Sequence, residues 1–229
     1  MTRSILVAGA LAIAFTAAAH AQSPTTPVEP RTSFTAGGSA GYANGFGVEF
    51  YGMFSNFARG LPMSARVALG YTSLDPGSAG DARRIFINNA TNGEPDKSGR
   101  TLEMRFDAMF RMTSESATPA YIYIGPRYSS FRGNFRFIGG NEDFDVTSGQ
   151  WGLGTGLEGH FGMGRSGALI IGGGVDYFFE GALTGHDTTY TPSGDDINPR
   201  KRYTFVDADA AINQPRWVPR FMVGFNYTF

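Results

Sequence analysis

The chain has 229 residues, a formal net charge of −1, no cysteine, 32 glycines and aromatics at 14%. Lack of cysteine excludes a disulfide framework, and the near-balanced charge leaves no basic footprint for nucleic acid. A mean hydropathy of −0.18 argues against a helical membrane protein. It does not argue against a barrel, in which only every second strand residue meets lipid.

Met1-Thr2-Arg3, the apolar and small run from Ile5 to Phe15, and Ala19-His20-Ala21 before Gln22 predict a secretory signal peptide over residues 1–21. Residues 22–31 hold three prolines and read as a disordered lead-in. Residues 32–229 show no composition break and read as one domain. Eight segments of period two follow. From Ser33 to Tyr42, Phe34, Ala36, Ala40 and Tyr42 oppose Ser33, Thr35 and Ser39. After the turn signal Asn44-Gly45, Phe46, Val48, Phe50 and Phe54 alternate with Glu49, Tyr51, Met53 and Ser55. The third segment sets Ala65, Val67, Leu69 and Tyr71 against Ser64, Arg66, Ala68 and Thr72.

The fourth segment has the sharpest contrast. Leu102, Met104, Phe106, Phe110 and Met112 fall on one parity, and Glu103, Arg105, Asp107 and Arg111 on the other. A strand collects such charges on one face, where a helix would scatter them. The fifth runs from Ala120 to Ser129 with Arg127 inside, and Pro126 suggests a bulge or an early strand end. In the sixth, Trp151, Leu153, Leu157 and Phe161 oppose Gln150, Gly152, Gly154, Glu158 and His160. In the seventh, Leu169, Ile171, Val175, Tyr177 and Phe179 oppose Asp176 and Glu180, although Ile170 and Phe178 blur the pattern. The eighth, Phe221 to Phe229, alternates aromatic and apolar with small or polar residues, with Arg220, Met222 and Asn226 on its inner face.

An Arg on the lipid face costs roughly 2–4 kcal/mol at the midplane, so the Leu/Met/Phe parity must point outward. The connections Asn56–Met63, Thr113–Pro119 and Gly162–Gly167 are short, Ser73–Thr101 and Gly181–Pro215 long, and Phe131–Thr147 intermediate. Short periplasmic turns and long external loops fit an all-β, eight-stranded antiparallel up-and-down transmembrane barrel with a periplasmic N-terminus. Within the last loop, Thr188–Thr191 and Tyr203–Val206 are β-prone enough for a projecting hairpin.

Signal peptide, eight amphipathic strands, alternating loop lengths and a final aromatic strand together resemble the small OmpA/OmpX-type outer-membrane barrels. The resemblance covers the mature chain but not the periplasmic domain of OmpA, and it includes no catalytic motif. It implies an insertion signal at Phe225, Tyr227 and Phe229, with the outer-membrane barrel assembly machinery, outer-membrane lipid and lipopolysaccharide as partners.

Glu49, Arg66, Glu103, Arg105, Asp107, Arg111, Arg127, Glu158, Asp176 and Arg220 share the inward parity. Five carboxylates against five guanidiniums read as a neutralising network in a barrel just wide enough for side chains. Gly154-x-Gly156-x-x-Gly159 matches a dinucleotide fingerprint but opens no helix, and reads as small inward residues. Asn89-Ala90-Thr91 and Asn226-Tyr227-Thr228 are chance sequons. An enzyme would need Ser, His and an acid near the outer rim. His160 falls near the opposite rim, His186 beside Asp187 in a loop, and His20 leaves with the signal. His186, Asp187, Asp195 and Asp196 match no metal template. No catalytic, cofactor or metal site is therefore assigned.

The reading is a non-enzymatic integral outer-membrane protein. It acts through loops 73–101 and 181–215, in adhesion or envelope resistance, or as a structural component. The alternatives are a narrow pore for small solutes or ions, and a soluble lipocalin-like carrier with its apolar residues inside.

Overall fold

The computed structural model describes residues 32–56, 63–87, 93–112, 118–140, 142–185, 208 and 211–229. The predicted signal peptide and lead-in, the sequon at Asn89, the acidic group with His186, and the proposed last-loop hairpin lie outside these residues. Eight strands are formed: β1 (Ser33–Ala43), β2 (Phe46–Ser55), β3 (Met63–Leu74), β4 (Glu94–Arg111), β5 (Ala120–Ile138), β6 (Asp143–Met163), β7 (Gly167–Phe178) and β8 (Trp217–Thr228). Each pairs antiparallel with its sequence neighbour, and β8 returns to β1 to close the barrel. The closing seam runs from Thr35↔Thr228 to Ala43↔Arg220, and the Phe229 amide donates to the Phe34 carbonyl at 2.9 Å. Closure satisfies every edge, which lipid could not do.

The period-two alternation becomes two chemically opposite faces. Phe50, Leu69, Leu102, Leu153 and Phe221 are exposed on the outside, while Glu49, Arg66, Glu103, Arg105, Asp107 and Arg127 are buried inside. This exposed apolar wall is continuous, a surface that lipid solvates and water does not. It also rules out the carrier reading, which needed the apolar residues inside. Aromatics gather at both ends of the wall. Tyr128–Trp151 and Tyr177–Trp217 pack with ring centroids 5.2 and 4.6 Å apart at one end, and Phe34–Phe229 stack at 5.8 Å at the other. Trp151 and Phe161 are ten residues apart on β6. At about 3.3 Å per residue and about 40° of tilt, that spans about 25 Å, the height of an outer-membrane apolar band.

Three segments depart from the sequence expectation. Pro126 neither ends β5 nor makes a bulge. The β4–β5 ladder stops at Arg105↔Arg127 and resumes at Ala108↔Ile124 in the same register, with Pro126 turned outward and Gly125 against the Phe106 carbonyl. Phe131–Thr147 is not a loop, because β5 runs to Ile138 and β6 starts at Asp143. Ser73–Thr101 is not structureless either: β3 reaches Leu74, β4 begins at Glu94, and helix α1 (Ala79–Phe86) lies between them. Ser78 caps α1, its hydroxyl accepting from the Asp81 amide at 3.4 Å. Ala79, Ala82, Arg83 and Phe86 form its buried stripe.

The long ends of β5 and β6 reverse the chemistry of the faces, while on the end of β4 Glu94–Ser98 are exposed on both parities. Below Ser129 the inward side chains of β5 are Arg127, Tyr123 and Tyr121; above it they are Phe131, Phe135 and Phe137, all buried. On β6, Phe144 and Val146 likewise face in, and Asp143 and Asp145 face out. Above the aromatic girdle water lies outside the wall, so the apolar parity turns inward. These side chains pack with Phe86, Leu183, Ala211 and Ile212 into a core that caps the barrel. The bridges Gly77↔Ile212 and Thr147↔Thr184 tie the returning loops to it.

Candidate functional site: a charged layer between two ends

Inward side chains divide the lumen into three levels. In the middle, Arg66 reaches Asp107 at 2.8 Å and Glu158 at 2.6 Å. Arg127 bridges Asp107 at 2.7 Å and Asp176 at 2.8 Å. Arg220 contacts Glu103 at 2.7 Å, Glu49 at 3.2 Å and Asp176 at 3.3 Å, while Arg105 pairs with Glu49 and lies 3.9 Å from Asp107. The Arg66 guanidinium also sits over the rings of Tyr51 and Tyr123, at 5.3 and 5.0 Å. Charges this deeply buried are tolerable only because each has a partner.

Nine of the ten residues expected in this network are in it. Arg111 is the exception. It has the inward parity but sits at the last position of β4, where it is exposed at the rim. Among the described residues, the buried layer thus holds five carboxylates and four guanidiniums. His160 adjoins them, its Nε2 2.6 Å from Glu158 Oε1. A search of the sequence for catalytic partners passes over His160. Its parity with Glu158 is the signal that it belongs here.

The glycines of β6 make the layer possible. A Cβ on Gly154 would collide with Asp176 and Arg127, and one on Gly156 with Tyr123. Two glycines of the dinucleotide-like spacing are thus small inward residues, as expected, whereas Gly159 falls on the outward parity beside Phe161. Within the layer lies a cavity of about 20 Å³, room for about a single water. On the side of the long loops, Phe178, Ala43 and Val218 form an apolar stopper above Asp176 and Arg220. The cap core lies beyond it. Phe178, which blurs the alternation of the seventh segment, is this stopper.

The opposite end is hollow. Small inward residues (Thr35, Ser55, Ser64, Ala168 and Thr228) sit there beside larger ones (Met53, Met109, Arg111, Tyr121 and His160), and together they line an open cavity of about 590 Å³. Of the expected insertion signal, Phe225, Tyr227 and Phe229 all stand exposed on the outer wall at this end. Tyr227 and Phe229 meet edge to face at 5.1 Å. Among the described residues His160 is the only histidine, and Glu158 and the Tyr121 ring (4.6 Å) hold it.

Outside the membrane band, Asp75 accepts from the Lys97 ammonium at 2.7 Å and from the Gly77 amide at 2.9 Å, which holds its carboxyl below the usual range. Asp145 is lowered as well, by its hydrogen bond from Arg132 and a second from Asn134.

No family model matches the chain, and no curated protein matches it by sequence. Among solved structures, it is similar to a major outer membrane protein from Thermus thermophilus. The identity is 22% over 86% of this chain and 99% of that one, with a TM-score of 0.70. Looser similarities include Neisserial surface protein A (16% identity, 86% and 97% covered, TM-score 0.40) and Ail, the attachment invasion locus protein of Yersinia pestis (11%, 88% and 100%, 0.42). At this identity what is shared is the fold, that of the small eight-stranded outer-membrane barrels.

Proposed function

We propose that this is an integral protein of the bacterial outer membrane, without enzymatic activity, whose working surface is the external cap. The observation that carries this reading is the reversal of faces on β5 and β6. The chain builds a second hydrophobic core beyond the girdle and displays Arg132, Arg136, Asp143 and Asp145 around it. A merely anchoring barrel needs no such core. The folded cap is a rigid platform for contact with an external surface, in adhesion or in resistance to envelope attack. The layer of ion pairs and the Phe178 stopper favour a closed barrel over a pore. In this orientation loops 73–101 and 181–215 carry the external ligand. Phe225, Tyr227 and Phe229 address the assembly machinery from the periplasmic end, and the exposed wall meets outer-membrane lipid and lipopolysaccharide.

The test compares cells carrying the wild-type chain with cells carrying Arg132→Ala/Arg136→Ala at equal membrane levels. Attachment to surfaces and survival in membrane-active peptide are scored, alongside planar-bilayer conductance of the purified chain. Reduced attachment or survival with no conductance is expected. Unchanged phenotypes together with discrete channel openings would replace this reading with the pore.

A further inference from the structure

We infer that the hollow end of the barrel is a binding cup for a small solute bearing an oxyanion, phosphate or carboxylate. An eight-stranded interior is ordinarily just filled by its side chains. Here hydroxyl and methyl side chains on β1, β2, β3, β7 and β8 leave space beside Met53, Met109, Tyr121 and His160, and the resulting 590 Å³ falls in the range of small-molecule sites. The lining is chemically one-sided. Arg111 and Arg165 supply positive charge at the mouth, and no carboxylate is among the described residues that line the cup. Deeper in, Thr35, Ser64, His160 and Asn226 present hydrogen-bonding groups on side chains more than nine-tenths buried. His160 is fixed there because Glu158 engages its Nε2, so Nδ1 is its remaining polar atom.

Three features narrow the occupant further. The cup ends blindly against the charged layer, whose cavity admits about one water, so a solute entering it is held and not passed on. All eight strands stand between the cup and the lipid, which makes the occupant a free solute and not a lipid headgroup. Met53 and Met109 line the cup as well, giving an apolar surface for a short carbon skeleton. In the orientation proposed above, the cup opens toward the periplasm. The binding chemistry itself does not depend on that orientation.

The test is titration calorimetry of the full chain in detergent micelles, with inorganic phosphate, with succinate, and with putrescine as the cationic counterpart. At least one of the two anions is expected to bind, and putrescine is not; which anion binds names the class. Arg111→Gln/Arg165→Gln should weaken the anion at least tenfold. Ala168→Phe, which keeps both cations but fills the cup, should do the same. Heat-modifiable gel mobility checks that each variant is folded, and either variant alone suffices for the decision. Absence of binding at millimolar anion, equal binding of putrescine, or wild-type affinity in a folded variant would overturn the inference.

Discussion

Arg127 gives the sharpest test of whether the charged layer is dry. Its side chain is fully buried, with Nη1 2.7 Å from Asp107 and Nε 2.8 Å from Asp176. Arg127→Met keeps the length and most of the packing against Gly154, so no large cavity term arises and the loss is electrostatic. Asp107 would keep Arg66 at 2.8 Å and Arg105 at 3.9 Å, but Asp176 would keep only Arg220 at 3.3 Å. Removing one member of a buried pair costs about 3–5 kcal/mol, and Asp176 bears most of it. The double variant Arg127→Met/Asp176→Asn removes the stranded charge and should recover at least about 1 kcal/mol, within the usual coupling of contacting residues. Arg111→Met, with the same chemistry and parity at the exposed rim, should stay within about 0.5 kcal/mol of wild type. Urea unfolding in lipid vesicles, read by gel mobility and by Trp151 and Trp217, measures all three. Arg127→Met unfolding with the wild-type midpoint would refute a dry layer.

The glycine pattern of β6 predicts that Gly154→Ala, whose Cβ meets Asp176 and Arg127, destabilises the barrel by about 1–3 kcal/mol in the same assay. Gly162→Ala, with nothing within 4 Å, should be neutral; equal behaviour of the pair would defeat the packing argument. Asp145 should titrate below the ordinary aspartate value of about 3.9. Because its folded value is depressed, its contribution to the β5–β6 tip is present above that pH and is lost as pH falls through the folded value. Carboxyl NMR on the wild type and on Arg132→Ala checks this, the variant titrating higher. At the seam, deleting Phe229 should slow assembly in cells and Phe225→Asp/Tyr227→Asp should slow it more, whereas Asn226→Ser on the lumen face should assemble nearly normally. Protease-sensitive periplasmic material reports the outcome, and equal assembly of all three would separate these aromatics from insertion.

The barrel is legible in the sequence because lipid imposes one rule on all eight strands. A charge on the outer face is costly, so the four charges of β4 settle its facing, and the neighbours follow by register. The same rule explains what stays hidden. From Phe131 to Phe137 and from Phe144 to Val146 the apolar parity is inverted, and read with the lipid rule these stretches look like a loop. Helix α1 is hidden for a related reason: its stripe of Ala79, Ala82, Arg83 and Phe86 covers a core whose other half lies on β5 and β6. For Arg111, parity gives the face but not the depth. The cup leaves only a faint signature, since Thr35, Ser55, Ser64 and Ala168 are ordinary one by one. Only the barrel's tilt and register bring them to one level.

The inversion also locates the membrane boundary, by an argument independent of the aromatic girdle. On β5 the last inward polar residue is Ser129 and the first inward phenylalanine is Phe131; across the ladder Ser130 pairs with Leu102, and Arg132 with Arg100. Two arginines directly opposite repel one another in water only weakly, but in hydrocarbon each costs roughly 2–4 kcal/mol. The lipid surface must therefore lie between the Leu102 and Arg100 levels, a step of two residues or about 5 Å along the tilted strand. Single cysteines at Leu102, Leu153, Arg100 and Arg132 carrying a spin label would test this in vesicles. The first two should respond to dissolved oxygen, which concentrates in the bilayer, and the last two to a water-soluble nickel chelate. A label at Arg132 as shielded from nickel as one at Leu153 would put β4–β6 inside the membrane. The buried phenylalanines of the cap would then need a different explanation.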